Sequence, residues 1–219
     1  MCGRFALATD TEELEREEPG FESKIDITPR YNIAPTQTVA AALSESPGTI
    51  VGVKWGLTPS WSKDEAPNPK LINARAETLF EKPSFRSAIS KRRCLIFATG
   101  FYEWKTEPSL KRKTPYYIRL REGNILTFGG IYETKRLSNG EFLCTAAIIT
   151  TEPNEFMAAL HNRMPLIIRK DERLEWLECS PERAKELLLP IGSDMMEGRP
   201  VDALVNNPAN DEPACIAGL

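Results

Sequence analysis

Histidine is nearly absent from this chain: His161 is the only one in 219 residues. A metal site built from several histidines is therefore excluded. Cysteine is sparse as well. The five cysteines, Cys2, Cys94, Cys144, Cys179 and Cys215, contain no C-x-x-C pair. That argues against a zinc ribbon or a dithiol redox motif, and an odd, scattered set reads as reduced thiols in a cytoplasmic protein, nucleoid-associated if the source is prokaryotic. No apolar run approaches the roughly 18 residues needed to span a bilayer. The N-terminus has no basic stretch followed by an apolar core, so neither a membrane partner nor a secretory signal is expected. The acidic run 10–18 (DTEELEREE) is equally unlike a transit peptide. Repeats, low-complexity tracts and a glycine-rich phosphate loop are missing too, and no cofactor is implied.

What is present is a globular composition, 41% hydrophobic, on a chain long enough to bury a real core and read as one domain over 1–219. Charge is segregated. Residues 82–121 carry 11 Lys and Arg against Glu103 and Glu107, a local balance of +9. Residues 171–219 carry 11 acidic side chains against 4 basic ones, a balance of −7. A basic middle on an acidic protein points to a local anionic partner, although solvated surface lysines give the same count.

Short alternating runs predict strands at 39–43, 50–55, 95–98, 116–120, 125–130 and 142–149. Asn139-Gly140 falls between two of these signals and predicts a type I′ hairpin turn. Helices are predicted at 10–18 after Thr9/Asp10, 85–92 after Ser84, 153–160 after Thr151 or Glu152, and 181–189 after Ser180-Pro181. Residues 62–70 read as an exposed loop. Many short strands with few helices predict an α+β fold: a mostly antiparallel, barrel-like β core with a few peripheral helices.

The chain opens Met1-Cys2-Gly3-Arg4. Aminopeptidases remove Met before small residues, so the mature chain is expected to begin with cysteine. An α-amine (reference pKa about 7.7–8.0) and a thiol (about 8.5) then stand on adjacent carbons. Such an aminothiol condenses with an aldehyde to an imine and closes through sulfur to a five-membered thiazolidine. An internal cysteine cannot, because its nitrogen is held in a peptide bond. Class II glutamine amidotransferases also begin Met-Cys-Gly, but they need a His-Asn-Gly segment. Here the sole histidine stands in His161-Asn162-Arg163, which weakens that reading without removing it.

Other residues gather around this chemistry. His161 ends an apolar helical run before a proline turn, where it is either a capping residue or a presented side chain. Glu103 sits in Gly100-Phe101-Tyr102-Glu103-Trp104, a lone carboxylate among aromatics suited to general acid–base work if buried. In Asn73-Ala74-Arg75-Ala76-Glu77, alternation puts Asn73, Arg75 and Glu77 on one face of an extended segment. Arginines at 4, 75, 86 and 163 interleave with Trp61 and Trp104, a pattern that fits phosphates and bases of a single strand. Trp55 reads as core, as do Cys94 and Cys144.

These residues resemble the SRAP family, the SOS-response-associated peptidases that shield abasic sites in single-stranded DNA. The matching segments include Met1-Cys2-Gly3-Arg4, Tyr31-Asn32-Ile33-Ala34-Pro35-Thr36, Trp55-Gly56-Leu57, Asn73-Ala74-Arg75-Ala76-Glu77, Gly100-Phe101-Tyr102-Glu103-Trp104, His161-Asn162-Arg163-Met164-Pro165 and Val205-Asn206-Asn207-Pro208, in order over nearly the whole chain. The resemblance implies catalytic roles for Cys2, Asn73, Glu103 and His161. It implies DNA contacts by Arg4, Asn32, Trp61, Arg75, Arg86, Trp104 and Arg163. It implies a covalent thiazolidine crosslink between Cys2 and an abasic site, with a lyase side activity, by a protein that needs only to be a monomer. Two other readings stay open: a thiol autopeptidase that removes Met1, and a non-catalytic module that binds single-stranded DNA.

Overall fold

A computed structural model describes residues 2–107 and 112–219. The strands in chain order are β1 (Phe5–Leu7), β2 (Glu22–Ser23), β3 (Arg30–Ile33), β4 (Thr38–Leu43), β5 (Ser46–Trp55), β6 (Asn73–Arg75) and β7 (Arg93–Ala98). They continue with β8 (Gly100–Glu107), β9 (Arg112–Leu120), β10 (Leu126–Arg136), β11 (Phe142–Thr151), β12 (Met164–Pro165), β13 (Ile167–Ile168) and β14 (Met196–Pro200). The helices are short: α1 (Thr11–Glu17), α2 (Arg86–Lys91), α3 (Glu155–Ala158), α4 (Arg173–Glu178) and α5 (Pro181–Glu186).

Five strands close a barrel. β11 pairs with β10, β10 with β7, β7 with β4 and β4 with β5, all antiparallel. A parallel register of Thr145 with Lys54 and Ala146 with Trp55 then joins β11 back to β5. Closure leaves neither strand an open edge there. The strands that form it are nearly continuous apolar runs: every residue of β7 is buried, and so is β4 after Thr38. Beside the barrel stands an antiparallel sheet in the order β14-β9-β8-β1-β3. The expected α+β fold with a barrel-like, mostly antiparallel core is thus the fold observed.

Alternation along β1 and β8 ties the two sheets together. Phe5 faces the barrel, with its ring 5.1 Å from Trp55 and 5.5 Å from Phe128. Phe101 on β8 reaches the same Phe128 at 6.0 Å. The intervening residues Ala6 and Tyr102 face away, into a second apolar cluster with Tyr117, Val201, Val205 and Cys215. Gly100 starts β8 where a Cβ would stand 2.5 Å from the Tyr117 ring and 2.7 Å from the Ile118 carbonyl oxygen, so only glycine fits.

Several local expectations are corrected. α1 is capped by Asp10, whose side chain accepts from Glu13 N, and α5 by Ser180, which accepts from Arg183 N. α2 has no side-chain cap from Ser84; its N-cap is Phe85. α3 is capped by Asn154, which accepts from Met157 N, so Pro153 precedes the helix instead of occupying its first turn. The hairpin at Asn139-Gly140 is not type I′. Only Gly140 has positive φ (+88°), and its N–H closes a turn onto Leu137 O. The connection is therefore a longer, bulged hairpin. Cys144 is only half-buried, unlike Cys94. The 62–70 loop is largely exposed but pinned, since Lys135 donates to the carbonyls of Ser62 and Asp64 and Ser138 to the carboxylate of Glu65.

The basic middle is partly spent inside the fold. Arg93 is buried, donating to carbonyl oxygens of Ile89, Trp176 and Cys179. Arg92 pairs with Glu133 at 2.7 Å, and Arg119 with Glu197 of the acidic C-terminal part, also at 2.7 Å. Arg86 remains exposed.

Candidate active site around the N-terminal cysteine

Phe5 anchors the N-terminal segment, and the three residues before it run back along β8. Phe5 lies opposite Phe101, and Tyr102 N donates to Arg4 O at 2.9 Å. Continuing that antiparallel register brings Gly3 opposite Glu103. Because Glu103 alternates with Tyr102, it shares the inner face with Phe101 and is buried (3% exposed). The expected pairing of a buried carboxylate with the aromatic stretch is what the strand produces. The residue sits within β8, not at a strand end.

Cys2 is completely buried. Its thiol is pushed far above the ordinary range, first by burial and second by the negative charge of Glu103; the backbone N–H of Arg4, donating toward the sulfur, works the other way. A buried neutral thiol is a poor free nucleophile. It reacts when a base beside it takes the proton as the bond forms, and Glu103 is the carboxylate whose charge it feels. Met1 lies outside the described residues.

Asn73 supplies the next contact. Its Nδ2 donates to Cys2 O at 2.9 Å, and its buried Oδ1 accepts nothing among the described residues. β6 holds it there through parallel pairing with β11, Asn73 opposite Ile148 and Arg75 opposite Thr150. Extended backbone ends at Arg75, so Glu77 does not continue the Asn73–Arg75 face as alternation predicts. It stands in a 3-10 turn, Ala76–Thr78. From that turn its carboxylate takes both ends of the Arg163 guanidinium, at 2.6 and 3.0 Å, and Arg163 also donates to Thr150 O at 2.5 Å. The bidentate bond holds the Glu77 carboxyl below its usual range. Glu77 and Thr150 are thus site residues that motif reading undervalued; Thr150 carries no signal in the sequence beyond its place in a strand.

His161 follows α3, with its N–H bonded to Met157 O at 2.7 Å. Its Nδ1 lies 3.0 Å from the Arg163 backbone N–H and 3.2 Å from the Arg163 carbonyl oxygen. Both contacts hold the ring against the Arg163 backbone. His161, Asn162, Arg163, Arg75, Glu77 and Glu152 line a cleft of about 500 Å³. Contacts run unbroken from Cys2 through Asn73 and β6 to Thr150, Arg163 and His161. Among the described residues, no group of three or more His, Cys, Asp or Glu side chains is placed to hold a metal ion.

The remaining candidates separate. Trp61 is 69% exposed and Arg75 is exposed. Trp104 is half-buried, and its indole N–H donates to Asn206 Oδ1 at 2.7 Å. Arg4 donates through Nη1 to Asn32 Oδ1 and to Val205 O, each at 2.7 Å. Asn32 is fully buried, and its amide is committed to carbonyls of the C-terminal segment.

A family model described as SOS response associated peptidase (SRAP) matches residues 1–208. The chain belongs to the SRAP family. A Bacillus subtilis (strain 168) relative, abasic site processing protein YoaM, is 43% identical over 217 residues, covering 96% of this chain and 95% of that protein. The Mus musculus relative, abasic site processing protein HMCES, is 29% identical over 269 residues, covering 99% of this chain and 76% of that one. A crystal structure of a Bacteroides thetaiotaomicron protein superposes with a TM-score of 0.88 at 27% identity, each chain covered in full. Among the described residues of this SRAP chain, no helix is long and apolar enough to cross a membrane.

Proposed function

We propose that this SRAP protein processes abasic sites in single-stranded DNA, forming a covalent crosslink through Cys2 once Met1 is removed. The observation that carries the reading is Cys2 buried within the charge of Glu103 while Asn73 holds its carbonyl oxygen. The substrate class comes from relatives named for abasic site processing, among them the 43% identical Bacillus subtilis protein.

The chemistry balances as a condensation. His161 donates a hydrogen bond to the ring oxygen of the abasic sugar and favours the open aldehyde. The Cys2 amine adds to that carbon, and loss of one water gives the imine, with Glu103 moving protons. The Cys2 sulfur then adds to the imine carbon as its proton passes to the nitrogen, and the thiazolidine closes. A thiol held neutral by burial suits this order, because the amine reacts first and sulfur is needed only when the imine stands beside it. Arg163, Arg75 and Arg86 serve the phosphates, and Trp61 and Trp104 stack on bases. The imine also opens a lyase side reaction by β-elimination.

A second reading concerns maturation. The Cys2 thiol, with Glu103 taking its proton, would attack the Met1 carbonyl carbon as the Met1–Cys2 peptide bond breaks, and water would then hydrolyse the thioester to release Met1, making the protein its own peptidase. Protein made without aminopeptidase then loses Met1, and Glu103→Gln retains it.

The main test is a denaturing gel of mature protein mixed with single-stranded DNA carrying one abasic site. A covalent band that withstands denaturation and disappears in Cys2→Ala is expected. A stable band in Cys2→Ala, or none in the wild type, overturns the mechanism. Salt-sensitive binding that is equal for intact and abasic DNA and indifferent to Cys2 would leave only a binding module.

A further inference from the structure

Residues 201–216 cross the outer face of the β1–β8 sheet as a strap built of two 3-10 turns, Ala203–Asn206 and Pro213–Ile216. Val205 and Cys215 of the strap are buried against Ala6, Tyr102 and Tyr117. One side chain of the body faces three of the strap's carbonyls. Asn32 Nδ2 lies 2.7 Å from Asn210 O, 3.0 Å from Asn207 O and 3.2 Å from Val205 O. Its Oδ1 accepts from Arg4 at 2.7 Å, and Arg4 reaches Val205 O with the same nitrogen. Asp211 fastens the far end, its Oδ1 accepting from the backbone N–H groups of Tyr31 and Asn32 at 2.5 and 3.0 Å, and its Oδ2 pairing with Arg30.

Arg4 joins this knot to the reactive residue. It stands two residues after Cys2, and its carbonyl oxygen accepts from Tyr102 N at 2.9 Å, one residue before Glu103. The side chain that the strap grips therefore belongs to the residue whose backbone ties the Cys2 segment to the strand of Glu103. We propose that Asn32 is a positioning residue: by clamping Arg4 to the C-terminal strap it fixes the Cys2 sulfur in register with Glu103. The inference rests on the crosslinking function proposed above, and it gives Asn32 a role in place of the DNA contact its motif suggests. The Asn32 amide is already committed to Arg4 and the strap, and an apolar residue there would leave Arg4 only Val205 O and take the Asn32 donor from Asn207 O.

The test compares mature wild type, Asn32→Ala and Asp211→Asn by two readouts. The first is single-turnover crosslinking against concentration of abasic single-stranded DNA. The clamp predicts a maximal rate lowered roughly 10- to 100-fold in Asn32→Ala, because sulfur and base lose alignment, with half-saturation unchanged. The second is alkylation of Cys2 without DNA, read by peptide mass. Cys2 is expected to label several-fold faster while buried Cys94 stays protected, which separates local release from unfolding. Asp211→Asn leaves Asn32 and Arg4 in place and moves both readouts the same way by less. If Asn32→Ala exposes Cys94, Asp211→Asn decides. Unchanged maximal rate and unchanged Cys2 labelling in the variant that protects Cys94 overturn the clamp, as does a change confined to half-saturation. A wild type that forms no crosslink removes the proposed function instead, and the labelling comparison still judges the clamp.

Discussion

Glu103 and Cys2 define the account at the residue scale. The carboxylate is the second cause, after burial, of the raised thiol, so removing its charge has a signed consequence. In Glu103→Gln the Cys2 thiol should ionise at lower pH than in the wild type, read as the pH dependence of its alkylation. Crosslinking should nonetheless slow by roughly 10²- to 10⁴-fold, because the proton carrier is gone. A thiol that is easier to ionise and yet less productive would separate base catalysis from simple activation. An unchanged alkylation profile would put Glu103 outside the sulfur's surroundings. Much of this site was legible in the sequence. Cys2 was marked by its position in the chain, and Glu103 by standing alone among aromatics. Asn32 was legible as a motif, but its place under the strap was not, because nothing in Tyr31-Asn32-Ile33 says that a segment more than 170 residues later will cover it.

At the scale of elements, β1 is the piece on which the site depends. It has three residues, and Phe5 carries its attachment through Trp55 and Phe128. Phe5→Ala should cost about 3–5 kcal/mol in denaturant unfolding, the usual range for emptying such a site, and should leave Cys2 open to alkylation below the unfolding midpoint. Full protection of Cys2 in that variant would show that the strap alone holds the segment. Strands as short as β1 and β3 escaped sequence reading because three or four residues show no clear period. Long runs such as β7 and β11 did not escape it. α4 was missed because no capping side chain announces it, its N-cap Glu172 making no side-chain hydrogen bond, whereas Asp10 and Ser180 announced α1 and α5 through side chains that could cap.

The whole molecule has a property that no single motif displays. Burial raises the Cys2 and Cys94 thiols and the Tyr102 and Tyr117 phenols above their ordinary values. A raised folded-state value means that the unfolded chain gives up these protons first. Their contribution to stability is thus complete below the unfolded thiol pKa, about 8.5, and is lost as pH rises past it and then past the phenol value of about 10. Urea midpoints should be flat between about pH 7 and 8 and fall progressively above about pH 9. A midpoint that rises over that range would contradict the burial described. A barrel-like core was legible, but not the seam that closes it: the parallel β5–β11 pairing joins residues some 90 positions apart in register (Lys54 with Thr145), and only the folded chain specifies it. The charge segregation was legible, but its meaning changed, since Arg92, Arg93 and Arg119 are bound within the fold.

Intact mass of the purified protein before and after incubation with an abasic single-stranded oligonucleotide tests the central claim most directly. The account predicts a starting mass short by one methionine, and a product heavier by the oligonucleotide less one water, formed by the wild type and not by Cys2→Ala. A chain that keeps Met1 and still gains that mass, or a demethionylated chain that gains nothing, would contradict it.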